Sequence, residues 1–141
     1  MRETVWAGKG ICFLMLLTGA SIRDLKYRQV PDRYSVMLAI LALVFPDMEK
    51  LWGILCACPL FIAALTIGGI GGADIKMTGA AGMVLGLGRG MAALIMGLSC
   101  MLIFHAGRRL FLPDGGSGQS YPLIPFLTIG MGIGYLTLIP L

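Results

Sequence analysis

Charge is what this sequence has least of. Lysine, arginine, aspartate and glutamate together make up 13% of 141 residues, against 57% hydrophobic residues. Soluble domains carry about a quarter charged residues, so this supply cannot cover a water-facing surface. The scarcity excludes an ordinary soluble domain and points to an integral membrane protein. Histidine is scarcer still. His105 stands alone at the end of an apolar run beside Arg108 and Arg109, and reads as an interfacial residue rather than a base. The four cysteines, Cys12, Cys56, Cys58 and Cys100, all fall inside apolar runs. Cys56 and Cys58 are two apart, so on a helix they face roughly opposite sides and cannot form a metal pair. They read as free, buried, small apolar residues. One histidine and no cysteine cluster give no metal site, and no cofactor is expected. The net charge of +4 is small, and the basic residues are not interleaved with aromatics. Nucleic acid is therefore not an expected partner, whereas the lipid bilayer is.

What the chain has instead is a series of apolar runs. A bilayer core needs roughly 20 apolar residues per helix. Candidate spans are 5–22, 34–46, 50–70, 77–88, 91–106 and 121–139. The first, preceded by Arg2 and Lys9, has the look of a signal peptide but reads as a retained span, because later runs must insert as well. The expected architecture is a single domain over 1–141, an all-α polytopic bundle of about six spans, or five if Arg89 lies mid-helix and spans four and five merge. "PDGGSGQS" (113–120) is the one linker-like segment. Gly82, Gly86 and Gly90 recur every fourth residue, as do Gly130 and Gly134, a spacing that lets membrane helices approach closely.

Orientation follows the lysine and arginine bias. Arg23, Lys26, Arg28 and Arg33 in the first loop, Lys76 in the third, and Arg108 and Arg109 in the fifth make seven of the eleven basic residues. That bias puts these loops in the cytoplasm.

Among the seven acids, Asp74 needs an account. It sits in "GGADIK" (71–76) after a full apolar span, where an ionisable group is costly unless it faces protein or water. It is either a site residue or a loop carboxylate paired with Lys76. Asp24 directly follows the first span as Asp74 follows the third, so both lie at one membrane face. Two carboxylates that meet there could share a proton for acid/base chemistry. The glycine stretch fits no nucleotide motif. Asp74 stands where a dinucleotide fingerprint needs its third glycine, and Lys76 follows Ile75 rather than a glycine.

These residues resemble the type IV prepilin peptidases, bacterial membrane aspartyl proteases. "DLKYRQVPD" carries Asp24, Val30 and Pro31 at the offsets of the family's first motif, with Asp32 where asparagine is usual. "GGADIK" matches the second motif through Gly71, Gly72, Asp74 and Lys76, with Ala73 replacing a glycine. "YPLIPFLTIG" (121–130) is similar to a late family segment, with Pro125 and Phe126 in place. The resemblance implies that Asp24 and Asp74 are catalytic and that Gly71, Gly72, Lys76, Pro31 and Pro125 support them. It implies a prepilin or pseudopilin substrate with a basic leader ending in glycine, cleaved at the cytoplasmic face of the inner membrane. Larger members carry an insertion with paired CxxC zinc ligands and N-methylate their product, so this chain is expected to be a minimal peptidase core. Two other classes remain open on the residues alone. One is a non-catalytic subunit of a pilus or secretion assembly; the other is a small proton- or cation-coupled carrier.

Overall fold

Unpaired backbone groups are costly in hydrocarbon, so a chain this apolar has to fold as helices or as a closed barrel. The computed structural model describes residues 2–44, 47–68, 70–112 and 123–137, and within them the fold is all-helical. Helices α1 (Arg2–Tyr27), α2 (Arg33–Val44), α3 (Met48–Leu51), α4 (Ala57–Thr66), α5 (Gly72–Leu85), α6 (Leu87–Phe111) and α7 (Ile124–Leu136) follow in order. A 3-10 segment, Trp52–Cys56, joins α3 to α4. Three helical stretches are long and apolar enough to cross a membrane: Glu3–Tyr27, Met48–Thr66 and Leu87–Phe111. The apolar helices α2 and α7 are shorter. The linker-like 113–120 lies outside the described residues.

The helices outrun the apolar runs that announced them. Helix α1 continues to Tyr27, so Asp24 lies within its last turns rather than in the loop after it. Helix α5 starts at Gly72, which places Asp74 and Lys76 on its first turns rather than in a connecting loop. Helical hydrogen bonding does not stop where hydrophobicity stops, because water and side chains satisfy the exposed turns beyond it. Spans four and five do not merge. Gly86 separates α5 from α6 with φ at +89°, a left-handed value that favours glycine. Gly86 is thus a joint between helices, whereas its partners Gly82 and Gly90 are packing residues.

Helix α5 forms the middle of the bundle and touches α2, α3, α4, α6, α7 and the 3-10 segment. Its buried residues are mostly small, including Gly79, Ala80, Ala81 and Gly82. A Cβ on Gly82 would run into the Gly53 carbonyl oxygen, and one on Gly90 would lie 2.7 Å from Cys56 Sγ. Backbones this close gain packing energy that lipid cannot match. The main core is completed by Phe13, Leu17 and Ala20 of α1, Leu38 and Ala42 of α2, and Met131 and Tyr135 of α7. All four cysteines are free, but only Cys56 is buried. Cys12, Cys58 and Cys100 are exposed on the bundle surface, contrary to the sequence expectation, because residues facing lipid are as apolar as those facing the core.

The end of the bundle where α1 begins is tied by polar contacts. Tyr135 donates a hydrogen bond of 2.8 Å to the Trp6 carbonyl, Lys50 lies 4.2 Å from the Trp6 ring centroid, and Lys50 pairs with Asp47. Gly86 lies beside Lys50, so α6 starts at that end and carries Arg108 and Arg109 to the other. Asp24, near the end of α1, lies at that opposite end.

Candidate active site

The last turns of α1 and the first turns of α5 and α7 build the site. Helix α1 stops through Arg28, whose amide donates to the Asp24 carbonyl at 2.9 Å while its own φ is +52°. A left-handed residue at a helix end usually is glycine; an arginine there pays roughly 1 kcal/mol and sends the chain sharply away. Gln29, Val30 and Pro31 follow, and with Arg23 and Tyr27 they line an open cavity of about 390 Å³. The Pro31 carbonyl accepts the Tyr34 amide at 3.2 Å, which starts α2.

Asp74 is the third residue of α5, counted from its N-cap, Gly71. Its amide donates to the Gly71 carbonyl at 3.1 Å, and its carboxylate in turn accepts from the Gly71 amide. This reciprocal pairing satisfies two donors that a helix start otherwise leaves free, and it fixes the side chain. Thr78 donates to the Asp74 carbonyl at 2.8 Å. Neither Gly71 nor Gly72 has a left-handed φ, and a Cβ on Gly72 would meet nothing within 4 Å. On Gly71 a Cβ would lie 3.5 Å from Asp74 Oδ2, an ordinary contact. No steric demand for glycine is evident at either position.

Asp24 is 8% exposed. Its carboxylate accepts a hydrogen bond from the Ile124 amide, at the first residue of α7. Pro125 follows at a position where its missing N–H costs nothing, since the first amides of a helix have no partner within it. The late "IPF" segment therefore meets Asp24 through its backbone. Sequence reasoning placed Pro125 near the site but missed this donor. The available signal was the proline itself, which marks a helix start and hence unpaired amides just before it.

The two aspartates interact. Asp74 precedes the apolar residues of α5, and burial with the neighbouring Asp24 carboxylate pushes its pKa up to about 6, against the Gly71 hydrogen bond. Like charges held close cannot both ionise freely, which is the condition for a shared proton. Lys76 does not pair with Asp74. Its ammonium lies 3.1 Å from Asp32 Oδ2, and both partners are exposed, so the pair ties α5 to the start of α2 but contributes little energy. Among the described residues no cluster suited to a metal ion occurs.

A test of the coupling needs no substrate. A hydrophobic carbodiimide modifies protonated carboxyls, so labelling of Asp74 should fall as pH rises, with a midpoint near about 6. In Asp24→Asn the midpoint should move down, because the like charge is gone while the burial remains. An unmoved midpoint, read by mass spectrometry, would separate the two carboxylates. The sign for stability is the reverse of an ordinary salt-bridged acid. Folding favours protonated Asp74, so its contribution is complete at low pH and is lost as pH rises through about 6.

Membrane-length helices around a buried Asp24 and a half-buried Asp74 define a helical membrane protein with an acidic centre at one end. A model of the type IV leader peptidase family matches residues 11–106, and the chain belongs to that family. The matched region contains Asp24, Pro31, Gly71, Gly72, Asp74 and Lys76, but not Pro125. The chain is also similar to a prepilin leader peptidase/N-methyltransferase of Bacillus subtilis (strain 168), at 29% identity over 89% of this chain and 54% of that relative. It spans about half the length of that relative. No solved structure matches it.

Proposed function

We propose that this protein is a membrane endopeptidase that removes the leader peptide from type IV prepilins or prepilin-like proteins by aspartyl acid/base catalysis. The observation that carries this reading is the pairing of Asp24 with Asp74: one charge raises the pKa of the other, in a chain of a leader peptidase family. The mechanism uses one proton on the pair. The ionised carboxylate takes a proton from water as the water oxygen attacks the scissile carbonyl carbon, and the protonated carboxyl donates to the carbonyl oxygen. Collapse of the tetrahedral intermediate breaks the C–N bond, and the leaving nitrogen takes up a proton. That proton belongs to the pair rather than to either residue. The Ile124 and Gly71 amides would hold the two carboxyl groups in place through this exchange.

On this reading the active site faces the cytoplasm. Arg23, Lys26, Arg28, Arg33, Lys76, Arg108 and Arg109 belong to the end that holds Asp24 and Asp74, and such a bias faces the cytoplasm. A single cysteine at Gln29, which is exposed, reports on this directly. In a background where the native cysteines are replaced, with Cys56→Ala to respect the tight packing at that site, Gln29→Cys should be shielded from an impermeant thiol reagent in intact cells. It should become reactive on lysis. Labelling before lysis would put the site on the other side.

The activity itself is tested by co-expressing the protein with prepilin candidates from the same genome. A gel shift for leader loss that depends on this protein is expected; unprocessed candidates throughout would remove the proposal.

A further inference from the structure

Two buried polar atoms at this end of the bundle make no hydrogen bond to any described residue: Asp24 Oδ2 and Ser35 Oγ. Ser35 is 7% exposed. The contrast with the other hydroxyls is informative. Thr18, Thr66, Thr78 and Thr128 each return their hydroxyl to a carbonyl four residues back in their own helix. Four residues before Ser35 stands Pro31, whose carbonyl already accepts the Tyr34 amide. Ser35 makes no such bond. An unsatisfied buried hydroxyl is a cost that packing alone gives no reason to keep, and such groups call for a specific account.

The place of Ser35 in the fold supplies one. The buried residues of α2 are Ser35, Leu38 and Ala42, a stripe on one helix face. Leu38 and Ala42 pack into the core with Ala20 of α1 and Met77 and Ala80 of α5. Ser35 stands at the site end of that stripe. The preceding residue, Tyr34, lies against Gly19 of α1, and Asp32, one turn earlier, pairs with Lys76 of α5. The first turn of α2 is thereby held against the last turns of α1 and the first turns of α5, the two elements that carry the aspartates.

We propose that Ser35 is a positioning residue of the aspartate pair, its hydroxyl and Asp24 Oδ2 together orienting the water that the pair activates. A water that gives one proton to an ionised carboxylate needs an acceptor for its other hydrogen, or it rotates freely. A serine oxygen held on a rigid helix provides that acceptor, and aligned reactants are what a near-attack geometry requires. The inference rests on the peptidase reading above.

The test compares wild type, Ser35→Ala and Ser35→Thr, purified in the same lipid nanodiscs. The probe is a synthetic peptide with a basic leader ending in glycine followed by an apolar helix. Ser35→Ala should lower kcat by roughly tenfold or more, in the range of a single positioned polar group, with KM within about twofold. Its thermal midpoint should stay close to that of wild type, because no described residue loses a hydrogen-bond partner. Ser35→Thr keeps the hydroxyl and should recover most of kcat. Full kcat in Ser35→Ala overturns the inference. A loss of kcat matched by a lower thermal midpoint, or no recovery in a folded Ser35→Thr, assigns Ser35 to packing and overturns it equally. No cleavage by wild type removes the peptidase reading instead, and activity retained in Asp24→Asn or Asp74→Asn removes its aspartyl mechanism, so these failures are distinguishable from that of Ser35.

Discussion

Asp24→Asn and Asp74→Asn are each expected to slow leader cleavage by about 10²–10⁴-fold, with the protein still inserted at near wild-type levels. An amide nearly preserves the shape of the carboxyl group but can neither accept the proton of the attacking water nor share one with its partner. Each substitution also removes one carboxylate from a pair whose charges repel, so neither should harm folding. Asp32→Asn is the internal control. It removes an exposed ion pair with Lys76, which is worth well under about 1 kcal/mol, and cleavage should stay close to wild type. Comparable processing by either dyad variant, in cells free of wild-type enzyme, would show that the carboxylates do not perform the chemistry.

The second large effect is on assembly. A Cβ on Gly130 of α7 would press on the Ala93 carbonyl oxygen and lie 2.8 Å from the Gly97 amide nitrogen, both on α6. These are backbone atoms and cannot rotate aside, so Gly130→Val must push α6 and α7 apart. Losses above about 4 kcal/mol are reserved for disruptions of this kind, and the variant should accumulate poorly or melt far below wild type. Gly107→Ala is the matched control, since a Cβ there meets nothing within 4 Å and alanine favours the helix. Thermal melting in detergent, followed by intrinsic fluorescence, distinguishes the two. A wild-type midpoint in Gly130→Val would mean that the α6–α7 contact is not close in the membrane.

The reach of the sequence follows from which forces leave a trace in residue type. Apolar runs announced most of the helices because the bilayer demands them. Asp24 and Asp74 stood out because charge beside such runs is expensive. Their shared membrane face was legible from the span count, since two spans between them return the chain to the same side; how near they come was not. The identity of their hydrogen-bond donors was not legible, because the Ile124 and Gly71 amides belong to the backbone, which every residue carries. Lys76 was a natural partner for Asp74 by proximity in sequence, yet a long side chain reaches outward more easily than it turns back, and it meets Asp32. The exposure of Cys12, Cys58 and Cys100 was hidden for a different reason. In water, burial sorts apolar from polar residues; in lipid it does not. Ser35 drew no notice because serine is unremarkable in a helix until its hydroxyl is found buried with no hydrogen-bond partner among the described residues.

The hydrogen bond from Ile124 to Asp24 joins residues a hundred positions apart. Both aspartates emerge from the ribosome long before α7 does. A nascent chain ending after α6 would hold the two carboxylates but lack the amide that anchors one of them, and the contact of α7 with α6 that fixes its place. The proposed protease would therefore stay inactive during insertion until its own late-synthesised helix docked.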